Sequence, residues 1–307
     1  MILAEVVRSG FVESVHHGSA VVLDASGSVL ASAGVVDAPV FPRSSNKPLQ
    51  TVGMLRSGFR PRDEADLALI SGSHYGEPFH VQRVREILAA AGLEEGALRC
   101  PPSLPISDSE RDAVLRAGGG PSRILMNCSG KHAGMLATCA GNGWPLESYR
   151  EAKHPLQVAT ADVVVDLTGE PIAATGVDGC GAPVFAFSLT ALARSFQRLV
   201  DAAPGTEERR VADQMRAHPA LVAGTGAPDT VLMAGVPGLL AKGGAEGVQA
   251  VAVPGVGAVA FKIEDGAMRA RMPVLRSALR RLGIESPVAE SPVLGGGVPV
   301  GEVRATW

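Results

Sequence analysis

Two short β-branched runs open the pattern of apolar and polar positions. Phe11-Val12-Glu13-Ser14-Val15 and Ser19-Ala20-Val21-Val22-Leu23 predict strands, and Asp24-Ala25-Ser26-Gly27 supplies turn chemistry before Ser28-Val29-Leu30-Ala31, so an antiparallel meander is expected. After Pro42 the period changes. Leu49, Val52, Met54 and Leu55 fall at roughly helical spacing, and residues 81–91 read as an amphipathic helix with Val84, Ile87 and Leu88 on one side and Gly92 as its stop. Further helices are predicted over 131–140, 156–167 and 189–200, with Gly141-Asn142-Gly143-Trp144-Pro145 as a turn. A strand-like triplet, Ile124-Leu125-Met126, precedes the first of these helices. Strand patterns return over 247–253 and 256–263, followed by a basic helix from about Met268 to Leu282 with Pro273 in its first turn or at a kink. Strands at both ends of a helix-rich middle predict one sheet built from the two termini. No internal repeat and no long polar linker divides the chain.

Composition narrows the class. A chain of 307 residues with 46% hydrophobic residues, 19% charged residues and a net charge of -3 has the makings of a large core and no basic face for nucleic acid. No window reaches the roughly 18 uninterrupted apolar residues of a membrane span, and the N-terminus has no basic stretch followed by a long apolar run. A cytoplasmic protein without membrane or nucleic-acid partners is expected, its four cysteines (Cys100, Cys128, Cys139 and Cys180) reduced.

Lysine usage changes the picture more. Only five of the 28 basic residues are lysines, and two lie in short polar motifs, Ser44-Ser45-Asn46-Lys47 and Cys128-Ser129-Gly130-Lys131-His132. An arginine codon preference explains the low number but not the placement. Lysine can lose its proton at tolerable cost and serve as base or metal ligand; arginine cannot. Ser44 and Lys47 lie three apart where a helix opens after Pro42, so both side chains share a face and a lysine base can activate a serine hydroxyl. By itself Ser-x-x-Lys arises by chance about once in a chain this long. In the Ser71–Glu77 cluster a proton relay could pass through Ser73 or His74, and the plain alternative is a solvated turn. Lys262 follows Val259-Ala260-Phe261, where an edge-strand gatekeeper is the plain reading. The segments around Cys128 and Cys180 could present a thiolate to a ligand or metal, although no Cys-x-x-Cys spacing supports zinc; Cys100 and Cys139 read as small buried residues.

Six segments in order resemble the asparaginase II family of the rhizobial inducible type: Glu13-Ser14-Val15-His16; Arg43-Ser44-Ser45-Asn46-Lys47-Pro48; Ser73-His74-Tyr75-Gly76-Glu77; Asn127-Cys128-Ser129-Gly130-Lys131-His132-Ala133-Gly134; Gly176-Val177-Asp178-Gly179-Cys180-Gly181; and His218-Pro219 with Gly224-Thr225-Gly226. The resemblance implies an α/β fold similar to serine β-lactamases, penicillin-binding proteins and serine glutaminases. Its sheet lobe would cover about 1–45 and 170–307 and its helical lobe about 46–169, in one domain. It implies hydrolysis of L-asparagine to L-aspartate and ammonia through two Ser-Lys tandems, Ser44 with Lys47 and Ser73 with Lys262, with Lys242 a competitor for the second lysine. Arg43, His74, His132 and Asp178 are the substrate-binding candidates. Zinc is implied at Cys128, Lys131 and Cys180, adjusting substrate binding without performing the hydrolysis, and a homodimer is implied. In place of a further cysteine carried by some members after Gly-Ala-Glu-Gly, this chain has Val248-Gln249-Ala250. Two rivals stay open. One is a β-lactamase or peptidase using the same Ser-x-x-Lys logic, although Ser-Asp-Asn and Lys-Thr-Gly are absent and Lys242-Gly243-Gly244 only echoes the second. The other is a non-catalytic zinc- or amino-acid-binding protein.

Overall fold

The strands of the computed structural model, which describes residues 1–290 and 292–307, are β1 (Ile2–Arg8), β2 (Phe11–Asp24), β3 (Val29–Ala33), β4 (Pro39–Val40), β5 (Ala174–Val177), β6 (Pro183–Ser188), β7 (Leu240–Gly243), β8 (Val248–Val253), β9 (Gly257–Ile263), β10 (Pro292–Gly295) and β11 (Val298–Ala305). The chain parts into two compact units, Met1–Ser45 with Phe187–Asp201 and Val231–Trp307, and Asn46–Ala186 with Ala202–Thr230.

The first unit is built on an antiparallel sheet in the order β10-β11-β1-β2-β9-β8-β7, with β3 also paired to β2. β2 pairs with β9, so strands from both ends of the chain enter one sheet, as the strand patterns predict; β1 and β11, for which the patterns predict no strand, pair with each other. All six residues of β8 are buried, and since successive side chains point to opposite faces, both faces of the sheet are covered there. Helices Leu189–Asp201 and Arg271–Arg281 pack against these strands. The two N-terminal runs form one continuous strand of 14 residues. Gly18, which could have broken it, is needed for close approach instead: a Cβ there would collide with Lys262 O on β9. His16 on this strand is buried, its Nδ1 2.6 Å from Asp265 Oδ2 and its Nε2 accepting from Arg269 Nε at 2.9 Å. The basic helix expected from Met268 is a 3-10 turn, Met268–Ala270, followed by the α-helix Arg271–Arg281; Pro273 sits in its first turn, where no amide donor is required.

The second unit is mainly helical: Lys47–Arg56, Asp66–Ile70, Pro78–Ala90, Asp108–Arg116, Ser129–Asn142, Pro155–Thr168, Glu207–Ala217 and Pro219–Val222. Ten residues of Ser129–Asn142 are buried, which makes it the central helix of this unit. The predicted strand at Ile124–Met126 is instead a run of turns. Among the described residues no strand pairs with it; Ser129 closes the segment back on itself, its N donating to Met126 O at 2.8 Å and its Oγ to Ile124 O at 2.8 Å. β5 and the start of β6 form a hairpin whose turn is closed by Asp178 N to Ala182 O at 2.9 Å and Gly181 N to Asp178 O at 2.8 Å. Among the described residues no helix is long and apolar enough to cross a membrane.

Candidate active site

In the helical unit Lys47 is the first residue of helix Lys47–Arg56 and only 1% exposed. Its Nζ donates to Ser73 Oγ at 2.9 Å and to Gly72 O through a short hydrogen bond. Ser73 stands on an extended segment held from both sides: Ser73 N donates to Val222 O and Tyr75 N to Ala223 O, each at 2.7 Å, while His74 N donates to Asn127 O at 3.0 Å. The same segment ends at Glu77, whose carboxylate accepts from Thr225 N and Thr225 Oγ1, each at 2.7 Å. The motifs around Ser73, Asn127 and Gly224 thus meet through the backbone that presents the serine.

His74 is fully buried. Burial, then the neighbouring His80 and Lys47, pushes its pKa well below the ordinary histidine range, so the ring is neutral. Its Nε2 lies 2.8 Å from Ser129 Oγ, and because that hydroxyl already donates to Ile124 O, Nε2 carries the proton.

The thiol cluster forms at the start of the central helix. Cys128 precedes its first residue, Lys131 and His132 lie in its first turn, and Cys180 comes from the β5–β6 turn. Lys131 Nζ is 3.2 Å from Cys180 Sγ, and both residues are 1% exposed. A hydrogen bond from Cys128, opposed by burial and reinforced by Lys131 and His132, holds the Cys180 thiol well below its usual range; the same bond, with burial, pushes Cys128 up. The pair therefore carries one thiolate. Burial works against the Lys131 ammonium, but Cys180, Cys128 and Asp178 together raise its pKa. Tyr149 OH is 2.6 Å from His132 Nδ1 and accepts from Arg99 N at 3.1 Å, so the phenol proton goes to Nδ1 and His132 keeps its own proton on Nε2. Burial alone pushes Cys139 up to about 12, and burial, then Cys180, pushes Cys100 up to about 11, as expected of core thiols. All four cysteines are free and buried.

In the sheet unit Arg43, Ser44 and Ser45 belong to the 3-10 turn Arg43–Asn46, which leads into Lys47. Arg43 has a φ of +52°, a conformation that costs a non-glycine residue about 1–2 kcal/mol. Ser45 Oγ donates to Lys242 O at 2.9 Å and ties the turn to β7. Lys242 Nζ donates to Gly243 O at 2.7 Å. Arg43 faces Glu246 at 3.7 Å, and Lys262 Nζ donates to Glu246 O at 2.8 Å. Partial burial lowers the Lys262 pKa, opposed by Glu246 and reinforced by Arg43.

The fold therefore gathers Lys47 with Ser73 and His74, and Cys128 with Lys131, His132, Asp178 and Cys180, in the helical unit; Arg43 and Lys262 gather around Glu246 in the sheet unit. Sequence reasoning missed Tyr149 and its neighbour Arg150. One signal was available: Tyr75 and Tyr149 are the only tyrosines of the chain, and both fall in this polar region.

A buried lysine hydrogen-bonded to a serine on a rigid segment is the equipment of an acyl-transfer hydrolase, and comparison with protein families makes the class an amidohydrolase. The sequence model of L-asparaginase II matches residues 4–305, and the chain belongs to that family. In direct comparison no curated protein sequence matches it. Among solved structures it is similar to the hydrolase EstCE1, which has promiscuous acyltransferase activity (14% identity, 86% of this chain and 93% of that one, TM-score 0.48). It is also similar to a β-lactamase from Mycobacterium bovis (16%, 87% and 95%, TM-score 0.43) and to a mutant DD-transpeptidase from Streptomyces (10%, 87% and 97%, TM-score 0.45). At these scores the likenesses bear on neither substrate nor mechanism.

Proposed function

We propose that the protein hydrolyses L-asparagine to L-aspartate and ammonia through a serine nucleophile activated by Lys47. The observation that carries this reading is the 2.9 Å hydrogen bond between the buried Lys47 amine and Ser73 Oγ, in a chain of the L-asparaginase II family. In its neutral form the amine takes the hydroxyl proton as the oxygen attacks the side-chain amide carbon. The tetrahedral intermediate collapses when that proton passes to the nitrogen, ammonia leaves, and water hydrolyses the acyl ester to release L-aspartate. The Lys47 bond favours Ser73 as the nucleophile; Ser44, three residues before Lys47, is the alternative. In the sheet unit Lys262, whose pKa is lowered by burial, remains the lysine that the family resemblance implies for a second Ser-Lys tandem.

Zinc fits the thiol cluster by donor chemistry. Among the described residues no three His, Cys, Asp or Glu side chains form a metal cluster, so a site here needs the Lys131 amine beside Cys128 and Cys180. Two sulfurs and a nitrogen are donors zinc accepts. A zinc ion there would supply positive charge and hold the β5–β6 turn to the central helix; no proton transfer above passes through it.

The test is ammonia release from L-asparagine and L-glutamine by wild type, Ser73→Ala and Ser44→Ala, with mass spectrometry for an acyl-enzyme. Release from L-asparagine that is abolished in one serine variant, which also fails to acylate, supports the reading and names the nucleophile. No release from L-asparagine by the wild type, with or without zinc, sinks it.

A further inference from the structure

Arg150 is a partly buried cation for which the described residues supply no counter-ion. Its Nε is fully buried without an acceptor, and among the described residues its guanidinium has neither a hydrogen-bond acceptor nor a carboxylate partner. Other arginines of this unit are different: Arg83 meets Asp66 at 2.7 Å, Arg56 meets Asp166 at 2.7 Å, and Arg210 meets Glu64 at 2.7 Å. Only Nε is cut off from solvent; the two terminal nitrogens reach it, so the guanidinium fork is open to an anion that arrives from solution.

Its position says which anion. The guanidinium lies against Gly181 in the β5–β6 turn, where the glycine has φ +83° and a Cβ would collide with Arg150 Nη1. The residue before Gly181 is Cys180, 3.2 Å from Lys131 Nζ, and the same turn carries Asp178. One tight turn therefore carries a carboxylate, whose Oδ1 accepts from Gly179 N at 2.8 Å, and has a guanidinium against its Gly181. That pairing is complementary to an α-amino acid, whose ammonium would be met by Asp178 and whose carboxylate would be met by the planar fork of Arg150.

We propose that Arg150 binds the α-carboxylate of a small amino acid at the Asp178–Gly181 turn. The identity of the ligand, L-asparagine or its product L-aspartate, rests on the function proposed above; the carboxylate site itself does not. Arg43, the other candidate for this role, already faces Glu246.

Calorimetric titration tests this without turnover. L-aspartate is compared with L-isoasparagine, which keeps the side-chain carboxylate and replaces the α-carboxylate by an uncharged amide, on wild type, Arg150→Gln and Gly181→Ala, with circular dichroism to confirm folding. Arg150→Gln is expected to weaken L-aspartate on the order of 10- to 100-fold, the effect of losing charge-assisted hydrogen bonds, and to leave L-isoasparagine unchanged. Gly181→Ala keeps the charge but displaces the guanidinium, and is expected to weaken L-aspartate in the same way. An L-aspartate affinity within twofold of wild type in Arg150→Gln, equal losses for both ligands, or no L-aspartate binding by the wild type overturns the proposal. Arg150-dependent binding by a wild type that releases no ammonia would refute the proposed reaction and leave this site standing.

Discussion

Replacing Lys47 by methionine removes one amine while keeping the length and apolar stem of a side chain that is 1% exposed. The structural cost is confined to Gly72 O and Ser73 Oγ, the two groups the amine bonds. An unsatisfied buried acceptor costs about 1–3 kcal/mol, and removal of a buried amine offsets part of it, so the variant is expected to fold. The chemical cost is larger. Positioned proton transfer contributes about 10²- to 10⁴-fold, or about 2.7–5.4 kcal/mol of barrier at 1.36 kcal/mol per decade. Lys47→Met is therefore expected to lose turnover by that factor while its far-ultraviolet dichroism and melting cooperativity are retained. Lys47→Arg sharpens the experiment: it keeps the positive charge and removes the ability to shed it, so it should be as inactive as the methionine variant. The assay is ammonia release from L-asparagine, coupled to NADH oxidation by glutamate dehydrogenase. Retention of more than a tenth of wild-type turnover in either folded variant, or rescue by arginine alone, would refute proton transfer by Lys47.

Zinc binding at Cys128, Lys131 and Cys180 is expected to release about two protons per ion, one from the Lys131 ammonium and one from the Cys128 thiol, since Cys180 is already the thiolate. Indicator-dye titration in weak buffer measures it, and zinc bound without proton release would contradict the charge assignment. Tyr149→Phe takes the phenol from His132 Nδ1, and His132 in turn supports the Cys180 thiolate; as a more distant partner, its loss is expected to weaken zinc by no more than about 10-fold, the low end of the effect of a ligand's direct partner. Chelator competition that finds equal affinities would show that the tyrosine only packs. His74 and His80 both have pKa values lowered chiefly by burial, from an unfolded value near 6.5. Their folded forms resist protonation, so the stability they contribute is complete above about pH 6.5 and is lost as pH falls below it, by at most about 1.4 kcal/mol per pH unit for each ring. Urea denaturation from pH 7.5 to 5 should show this decline with a shallower slope in His80→Gln; a flat profile contradicts it.

Helices with a strong 3.6 period were legible, because an apolar stripe needs only local information: the helix expected over 156–167 spans Pro155–Thr168, and that over 189–200 spans Leu189–Asp201. What failed depended on distant partners. Ile124–Met126 has strand composition but, among the described residues, no strand paired to it. Gly18 resembles a break and is a point where two backbones touch. β10, with its half-exposed residues, becomes a strand by pairing with β11. In the site, short motifs drew attention to Lys47, Ser73 and the cysteines, but a hydrogen-bond chain such as Tyr149 to His132 joins residues from separate segments, and no spacing rule encodes it.

The placement of the lysines follows from proton chemistry. Lys47, Lys131 and Lys242 are each at most 2% exposed and Lys262 is half-buried, whereas Lys153 is exposed. Arginines meanwhile fill surface ion pairs such as Arg8 with Glu13 and Arg85 with Glu95. A preference for arginine at the level of the gene would thin lysines everywhere, surface first, but would not retain an amine beside Ser73 Oγ or Cys180 Sγ. At those positions a guanidinium would keep its charge under any neighbour, while an amine can surrender a proton to a leaving group or a lone pair to a metal. Arg150 is the converse case. Where a permanent charge with a planar fork is kept in a partly buried place with no counter-ion among the described residues, its chemistry is to hold an anion, and a transferable proton has no part in it.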